Sequence, residues 1–394
     1  MKNEMVLAAL LSISSMSLAE TVTLQANEGE PGPVPVTLQN EARAAIDRSA
    51  KWLLAQQQPE GNWSNPDFPA LTALPLWALA LTKFPEKEAM DKAIAYLLAS
   101  VHDDGSIWRE PKAAQKGGGL SNYNTAICMT ALHAVGDEKL VPVIQKARRF
   151  LAGSQHLGGD IYEGGMGYDP ETGRPYADLS NSYIAYEAMR LTENVEDLRQ
   201  SGEEKADLDW EAAQKFISRV QNRADSNDQP WASDDPENKG GFAYKPDSSQ
   251  AGTTTNEAGE VRFRSYGSMT YAGLLSFIYA EVNREDPRVK SAFDWAAAHW
   301  TLAENPGMGA QGLYYFYNVL SKALAMYGQD QIPLADGKSV NWRNELIRKL
   351  VGLQKIDPAT GHGYWVNEEG RWWEADPILV TSYSIIALQI ALNP

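Results

Sequence analysis

A helix–turn–helix pattern recurs six times along the chain, and a recurring unit of this length constrains the fold more than any other feature. In each copy an amphipathic stretch runs into a turn rich in Gly and aromatic residues, and a second, more apolar stretch follows. The second stretches begin around Thr72, Thr125, Ser182, Thr270, Tyr317 and Thr381, anchors that lie 53, 57, 88, 47 and 64 residues apart. A supersecondary unit of this size cannot bury its apolar face alone, so the copies must stack on each other. Six helix pairs in series predict an all-α protein, an α/α toroid whose pairs close into a ring.

The first unit shows how each copy is read. From Asn40 onward, Ala44, Ile46, Ala50, Leu53 and Leu54 form a stripe at helical spacing. The stripe ends at Gln56-Gln57-Gln58-Pro59, because proline disfavours helix at the preceding residue. After the turn at Glu60-Gly61-Asn62-Trp63, residues 71–81 are apolar nearly all round, which marks a buried helix. Each unit therefore pairs an outer amphipathic helix with an inner buried one. The same reading predicts outer helices at 90–100, 141–155, 210–221, 289–302 and 342–354. It predicts inner helices at 123–134, 180–192, 268–282, 313–327 and 378–392. Residues 40–394 form one toroid domain. Its fourth unit is lengthened by a polar loop over 222–264, and a loop this long is either functional or disordered.

Composition excludes some functions. The chain carries 12 Trp, 17 Tyr and 9 Phe, a heavy load of residues that dominate cores and ligand cavities. Its formal net charge of −16 repels a phosphate backbone, so nucleic acid is not an expected partner. Lys2, the apolar run from Met5 to Leu11 and the small residues of Ser17-Leu18-Ala19 read as a signal peptide over 1–19, cleaved after Ala19. The segment is too short for a spanning helix, so a secreted or periplasmic protein without a transmembrane span is expected. Residues 20–39, with Pro31, Pro33 and Pro35, read as a flexible leader. Cys128 is the only cysteine, so no intramolecular disulfide forms.

The motifs resemble those of the terpenoid cyclase and protein prenyltransferase superfamily, and more closely those of secreted bacterial prenyltransferase/squalene oxidase repeat proteins. Gln57-x-x-x-Gly61-x-Trp63 is similar to the Gln-Trp repeat of squalene-hopene cyclases. Gly164-Gly165-Met166-Gly167-Tyr168 and Gly240-Gly241-Phe242 resemble the superfamily's Gly-Gly-Phe turns. The stretches Asp178–Ser182, Arg264–Gly273, Asn305–Gly309 and Arg371–Pro377 look like signatures of the bacterial subgroup. The resemblance implies a squalene-cyclase-like toroid with a ligand cavity at its centre.

The departures from that pattern are as informative. Class II cyclases protonate an alkene with an Asp-x-Asp-Asp acid, and no such motif occurs here. The prenyltransferase zinc set of Asp, Cys and His has no counterpart. Cys128 lacks an Asp-x-Cys context, and His133 lies five residues on rather than four. No metal and no cofactor are therefore expected.

The remaining candidates sit at the starts of inner helices and in the loops before them. Asp376, Asp178 and Glu374 are the candidate catalytic acids, suited to general acid–base work if burial raises one pKa. Asp376-Pro377 also reads as an N-cap with proline at the first helical position, and Asp178 as a cap in its own turn. Arg264 is a candidate contact for an anionic group. Tyr266, Tyr271, Tyr183, Tyr314, Tyr315, Tyr317, Trp372 and Trp373 are candidate ligand contacts, because aromatic walls stack on rings and stabilise cations. Packing between repeats is the competing role for each of them.

Three functions fit. The first is a toroid that binds or converts an isoprenoid or other small hydrophobic ligand in an aromatic cavity. The second is a glycoside hydrolase or polysaccharide lyase acting on a glycan through paired carboxylates. The third is a non-catalytic scaffold that uses the 222–264 loop. Fold alone does not choose among them. The sequence is silent on oligomeric state.

Overall fold

The computed structural model describes residues 34–82, 86–111, 119–170, 176–256 and 258–393. The expected signal peptide and most of the leader lie outside these residues. The first outer helix, α1, begins at Val36, just after Pro35, and so earlier than Asn40.

Twelve α-helices are described, and they alternate outer and inner along the chain. The pairs are α1 (Val36–Ala55) with α2 (Ala70–Thr82), and α3 (Lys87–Leu98) with α4 (Ser121–Val135). Next come α5 (Val141–Gly153) with α6 (Leu179–Leu191), and α7 (Trp210–Arg219) with α8 (Gly267–Tyr279). The last two are α9 (Pro287–Ala298) with α10 (Leu313–Tyr327), and α11 (Trp342–Leu353) with α12 (Pro377–Leu392). The inner helices touch in the order α2, α4, α6, α8, α10, α12, and α12 packs back on α2. Outer helix α11 meets α1, so the outer layer closes as well. This is the α/α toroid that the six repeats predict. Helix α12 shows why: Leu379, Val380, Ile385, Ile386 and Leu388 on all its faces are buried, which only a surrounded helix achieves.

Three devices recur and hold neighbouring units together. The first is a glutamine strap at the end of an outer helix. Gln57 donates from Nε2 to the carbonyl of its own turn at Gly61 (2.9 Å) and to Ala89 of the next outer helix (2.8 Å). Gln155 does the same to Gly164 and Asp209, and Gln221 to Gly240 and Arg288. Gln354 reaches Ala45 of α1 at 2.8 Å, which fastens the last unit to the first.

The second device is a glycine in the turn. Gly164 has φ +96° and Gly240 φ +90°, and an added Cβ would stand 1.9 and 2.0 Å from the carbonyl oxygens of Ala212 and Ser291 on the next outer helix. Only glycine fits a left-handed turn this close to another backbone. Gly61 and Gly105 occupy the same place against Lys92 and Lys146.

The third device is the inner-helix anchor. The hydroxyls of Thr72, Thr125, Ser182, Thr270 and Thr381 accept the backbone N–H of Trp63, Ile107, Met166, Phe242 and Trp365. All five loop residues are fully buried, so each N–H needs such a partner. In the fifth unit Tyr317 instead donates its hydroxyl to the Leu302 carbonyl at 2.6 Å.

The long fourth-unit loop is ordered around a small core of its own. Trp231, Ala232 and Ala243 pack with Phe263, and the Trp231 indole N–H donates to the Pro246 carbonyl at 2.6 Å. A short hairpin, β1 (Thr253–Thr255) with β2 (Val261–Phe263), projects from it. Two further antiparallel pairs, β3 (Gln331–Pro333) with β4 (Ser339–Asn341) and β5 (Lys355–Ile356) with β6 (Gly363–Tyr364), flank α11.

Candidate functional site

The N-terminal ends of the inner helices converge on one end of the ring. Each presents N–H groups without helical partners and a partial positive charge. Every one of the six is capped by a side chain, in most cases from the following unit. Asn124 accepts the Ala70 N–H of α2 (2.9 Å), and Asp169 accepts the Ser121 N–H of α4 (2.6 Å). Asp178 caps its own helix α6 through the Asn181 N–H (2.9 Å), while Asn305 takes the Ser268 N–H of α8 (2.9 Å). Glu374 accepts the Tyr315 N–H of α10 (2.7 Å). Asp376 caps α12 through Ile378 (2.9 Å) and accepts the hydroxyl of Ser64 from the first unit, closing the circle. Four of the six caps are carboxylates.

A cavity of about 400 Å³ opens between these ends. Phe68, Leu71, Leu74, Leu120, Met269 and Leu379 give it apolar walls, and Tyr123, Tyr168, Tyr244, Tyr266, Tyr315 and Tyr383 line it with rings. Trp372 and Trp373 stand at its exposed side. Trp373 meets Phe68 edge-on at 5.4 Å between ring centres, and Arg371 stacks over Trp372. Both indoles sit on left-handed backbone, φ +56° and +69°, which is uncommon for bulky residues. Among the described residues, Glu374 is the only charged one in the lining.

The predicted site residues divide by place. Tyr266, Tyr315, Trp372, Trp373 and Glu374 line the cavity. Tyr183 lies beneath Tyr315, ring to ring at 6.5 Å. Tyr271 packs on Phe316, and Tyr314 on Tyr317, both away from the lining. Asp376 is half-buried at the helix start beside the lining. Arg264 is exposed just after β2 and outside the cavity wall. Asp178 is fully buried behind the tyrosines and hydrogen-bonded to Tyr244 and Asn181. Burial pushes its pKa up to about 6, against the pull of those hydrogen bonds. Burial also raises Glu374, opposed by Asn367 and by the N–H groups at the start of α10.

Tyr123, Tyr168, Tyr244 and Tyr383 are lining residues that the sequence reading did not single out. A signal existed for two of them. Tyr168 and Tyr244 are the fifth residues of the matched turns Gly164-Gly165-Met166-Gly167-Tyr168 and Gly240-Gly241-Phe242-Ala243-Tyr244. Their carbonyls accept the N–H groups of Asn122 and Leu179, so each turn brings its tyrosine to the start of the preceding inner helix.

The opposite half of the ring is filled. Lys322 of α10 and Glu187 of α6 form a buried ion pair at 2.9 Å, and Lys322 also reaches the Tyr183 hydroxyl and stacks over the Trp77 ring. Tyr279 donates to the second Glu187 oxygen at 3.0 Å. Trp77 follows Leu74 by one helical turn, so this cluster floors the cavity. Burial pulls Lys322 below the ordinary lysine value, against the pull of Glu187.

Comparison with known proteins adds the fold class. No protein-family model matches the chain, and no curated protein matches it by sequence. Solved structures do match over almost the whole length. A variant of the type II terpene cyclase MstE from Scytonema, in complex with its substrate geranylgeranyl dihydroxybenzoate, has a TM-score of 0.51 at 13% identity, covering 90% of this chain and 99% of that one. The GH76 α-mannanase of Bacteroides thetaiotaomicron reaches 0.52 at 12% identity, covering 90% and 95%. A D-mannose isomerase also reaches 0.52, at 14% identity, covering 92% and 99%. These likenesses define the class: the chain shares the α/α toroid of terpene cyclases, glycosidases and sugar isomerases. At such identities they extend to the fold and no further.

Proposed function

We propose that the protein binds an isoprenoid or similar apolar ligand in the cavity at the capped ends of α2, α4, α6, α8, α10 and α12. The observation that carries this reading is the lining itself: aliphatic side chains and six tyrosine rings around about 400 Å³, a size and character suited to a small hydrophobic molecule. The fold likeness to a terpene cyclase agrees with it. We further place the protein outside the cytoplasm, on the strength of the apolar run from Met5 to Leu11 and the cleavage signal ending at Ala19.

A glycan hydrolase needs two carboxylates free to flank a glycosidic bond. Here Glu374 is engaged by Tyr315 and Asn367, Asp376 by Ile378 and Ser64, and Asp178 is sealed behind Tyr244. The acids cap helices, which argues against the glycan reading. Where the bound ligand is converted, we propose that Asp178 exchanges its proton by way of the Tyr244 hydroxyl, which hydrogen-bonds it and lines the cavity. A carboxyl that titrates near neutrality suits exchange with a ligand oxygen rather than protonation of an isolated alkene.

The test is to incubate the purified mature protein with lipid and glycan extracts and to identify retained or altered molecules by mass spectrometry. Retention of an apolar lipid by the wild type is the expected outcome, with its loss in Ser180→Trp, which sets an indole in place of a small lining residue that meets the Tyr315 hydroxyl. Retention of glycans alone would overturn the reading.

A further inference from the structure

The charge pattern around the cavity narrows the ligand further, on the premise that the cavity is the binding site. Helix N-termini are natural anion sites, because their N–H groups and dipoles point outward together. Six of them converge here, and each already has a side-chain acceptor. Asn124, Asp169, Asp178, Asn305, Glu374 and Asp376 each accept an N–H of one terminus. Of the four carboxylate caps, Glu374 stands in the lining, Asp169 and Asp376 stand outside it at the helix starts, and Asp178 is buried behind it. Among the described residues no Lys, Arg or His lines the cavity to offset them. The nearby cations among the described residues are already engaged: Arg371 stacks over Trp372 and is held by Gln311 and Gln250, and Lys322 in the floor is paired with Glu187. The chain as a whole is at −16. What the cavity does present is a ring of tyrosine faces and hydroxyls, whose π systems favour positive charge and whose hydroxyls serve neutral polar groups.

We infer that the cavity selects its ligand by charge: it accepts an apolar molecule with a neutral or cationic head and refuses one that ends in phosphate, diphosphate, sulfate or carboxylate. Prenyl diphosphates fall on the refused side, and so does a benzoate such as the ligand held by MstE. The natural ligand is then a hydrocarbon, an alcohol or an amine rather than an activated prenyl donor.

The experiment uses the mature protein and one geranylgeranyl chain carried as the alcohol, the primary amine and the monophosphate. Binding is followed by equilibrium dialysis below micellar concentrations at low salt. The alcohol and the amine are expected to bind at least about tenfold more tightly than the monophosphate, a difference well within what a few charges supply. Added salt should narrow the gap between amine and monophosphate. Two variants lighten the rim without removing a cap acceptor: Glu374→Gln in the lining and Asp169→Asn outside it. Each should shift the alcohol-to-phosphate ratio toward the phosphate by about threefold or more. Because Asn caps helices as well as Asp does, Asp169→Asn keeps the test open should Glu374→Gln fail to fold. A monophosphate that binds as tightly as the alcohol, and is lost in Ser180→Trp, would overturn the charge inference while keeping the cavity. No binding by any of the three would overturn the cavity reading on which it rests.

Discussion

The two ends of the inner ring are built from the same six helices and yet differ in almost every physical respect. At the N-terminal end acids and amides cap N–H groups, tyrosines line open space, and loops from the next unit complete the wall. At the C-terminal end the charges reverse. Arg148 donates to the Met189 carbonyl near the end of α6, Arg190 to Tyr279 at the end of α8, and Arg343 to Ile390 near the end of α12. Cations at helix C-termini and acids at N-termini both oppose the helix dipole. Between the ends, the Lys322–Glu187 pair fills the space that a pore would need. The toroid is a cup, sealed by a buried ion pair and open on an aromatic face.

The sharpest way to break this contrast is to unplug the floor. Lys322→Met leaves Glu187 buried without its cation, and a single broken buried pair costs about 3–5 kcal/mol. Urea denaturation should register a loss of that size. The double variant Lys322→Met/Glu187→Gln should recover most of it. A single variant as stable as wild type would mean that the pair does not hold the closed end together.

The open end should show itself through pH. Asp178 has a raised pKa in the folded protein, so its contribution to stability is present below its unfolded value and is lost as pH rises through about 6. From pH 4 to 7 wild type should lose about 2–3 kcal/mol relative to Asp178→Asn, the free energy that corresponds to a shift of about two units. Parallel stability profiles for the two proteins would place Asp178 in a more solvated setting than the cavity wall provides.

Smaller effects test the ring. Gln354→Ala removes the strap from the last unit to the first and leaves the Ala45 carbonyl without it, which should cost about 1–2 kcal/mol in the same assay. The smallest change is expected at Asp376→Asn. Asparagine caps as well as aspartate does, so stability should move by no more than a few tenths of a kcal/mol. If Asp376 is catalytic, this variant should lose turnover with its melting temperature barely changed. Stability and activity both unchanged would leave Asp376 as a cap.

How much of the molecule the sequence displays follows the same division. The recurring layer is legible because its residues recur: Gln57, Gln155, Gln221 and Gln354, the glycines at 61, 164 and 240, and the anchors Thr72 to Thr381 each do one job in several units. Helix periodicity located all twelve helices, most within about two residues of their ends. The cavity layer is less legible because equivalent places hold different residues. Asn124, Asp169 and Glu374 are all caps for a neighbouring helix, but they come from different offsets in their units and share no spacing. Tyr123 and Tyr383 lie early in inner helices between small polar residues, Asn122 and Asn124 in one case and Ser382 and Ser384 in the other, where nothing in a single chain separates a lining ring from a packed one. Tyr271 and Tyr314 illustrate the reverse case, aromatics at helix starts that pack between helices. Arg264 is conspicuous in sequence and stands on the surface after β2.

The most direct measurement is a binding titration of the protein with geranylgeraniol followed by total tryptophan fluorescence, to which the exposed indoles Trp372 and Trp373 of the lining contribute. Wild type should give a saturable one-to-one change, Ser180→Trp should give none, and Arg264→Ala, away from the lining, should match wild type. Saturable binding that survives Ser180→Trp, or no binding by a folded wild-type protein, would show that the aromatic cup is not where this protein meets its ligand.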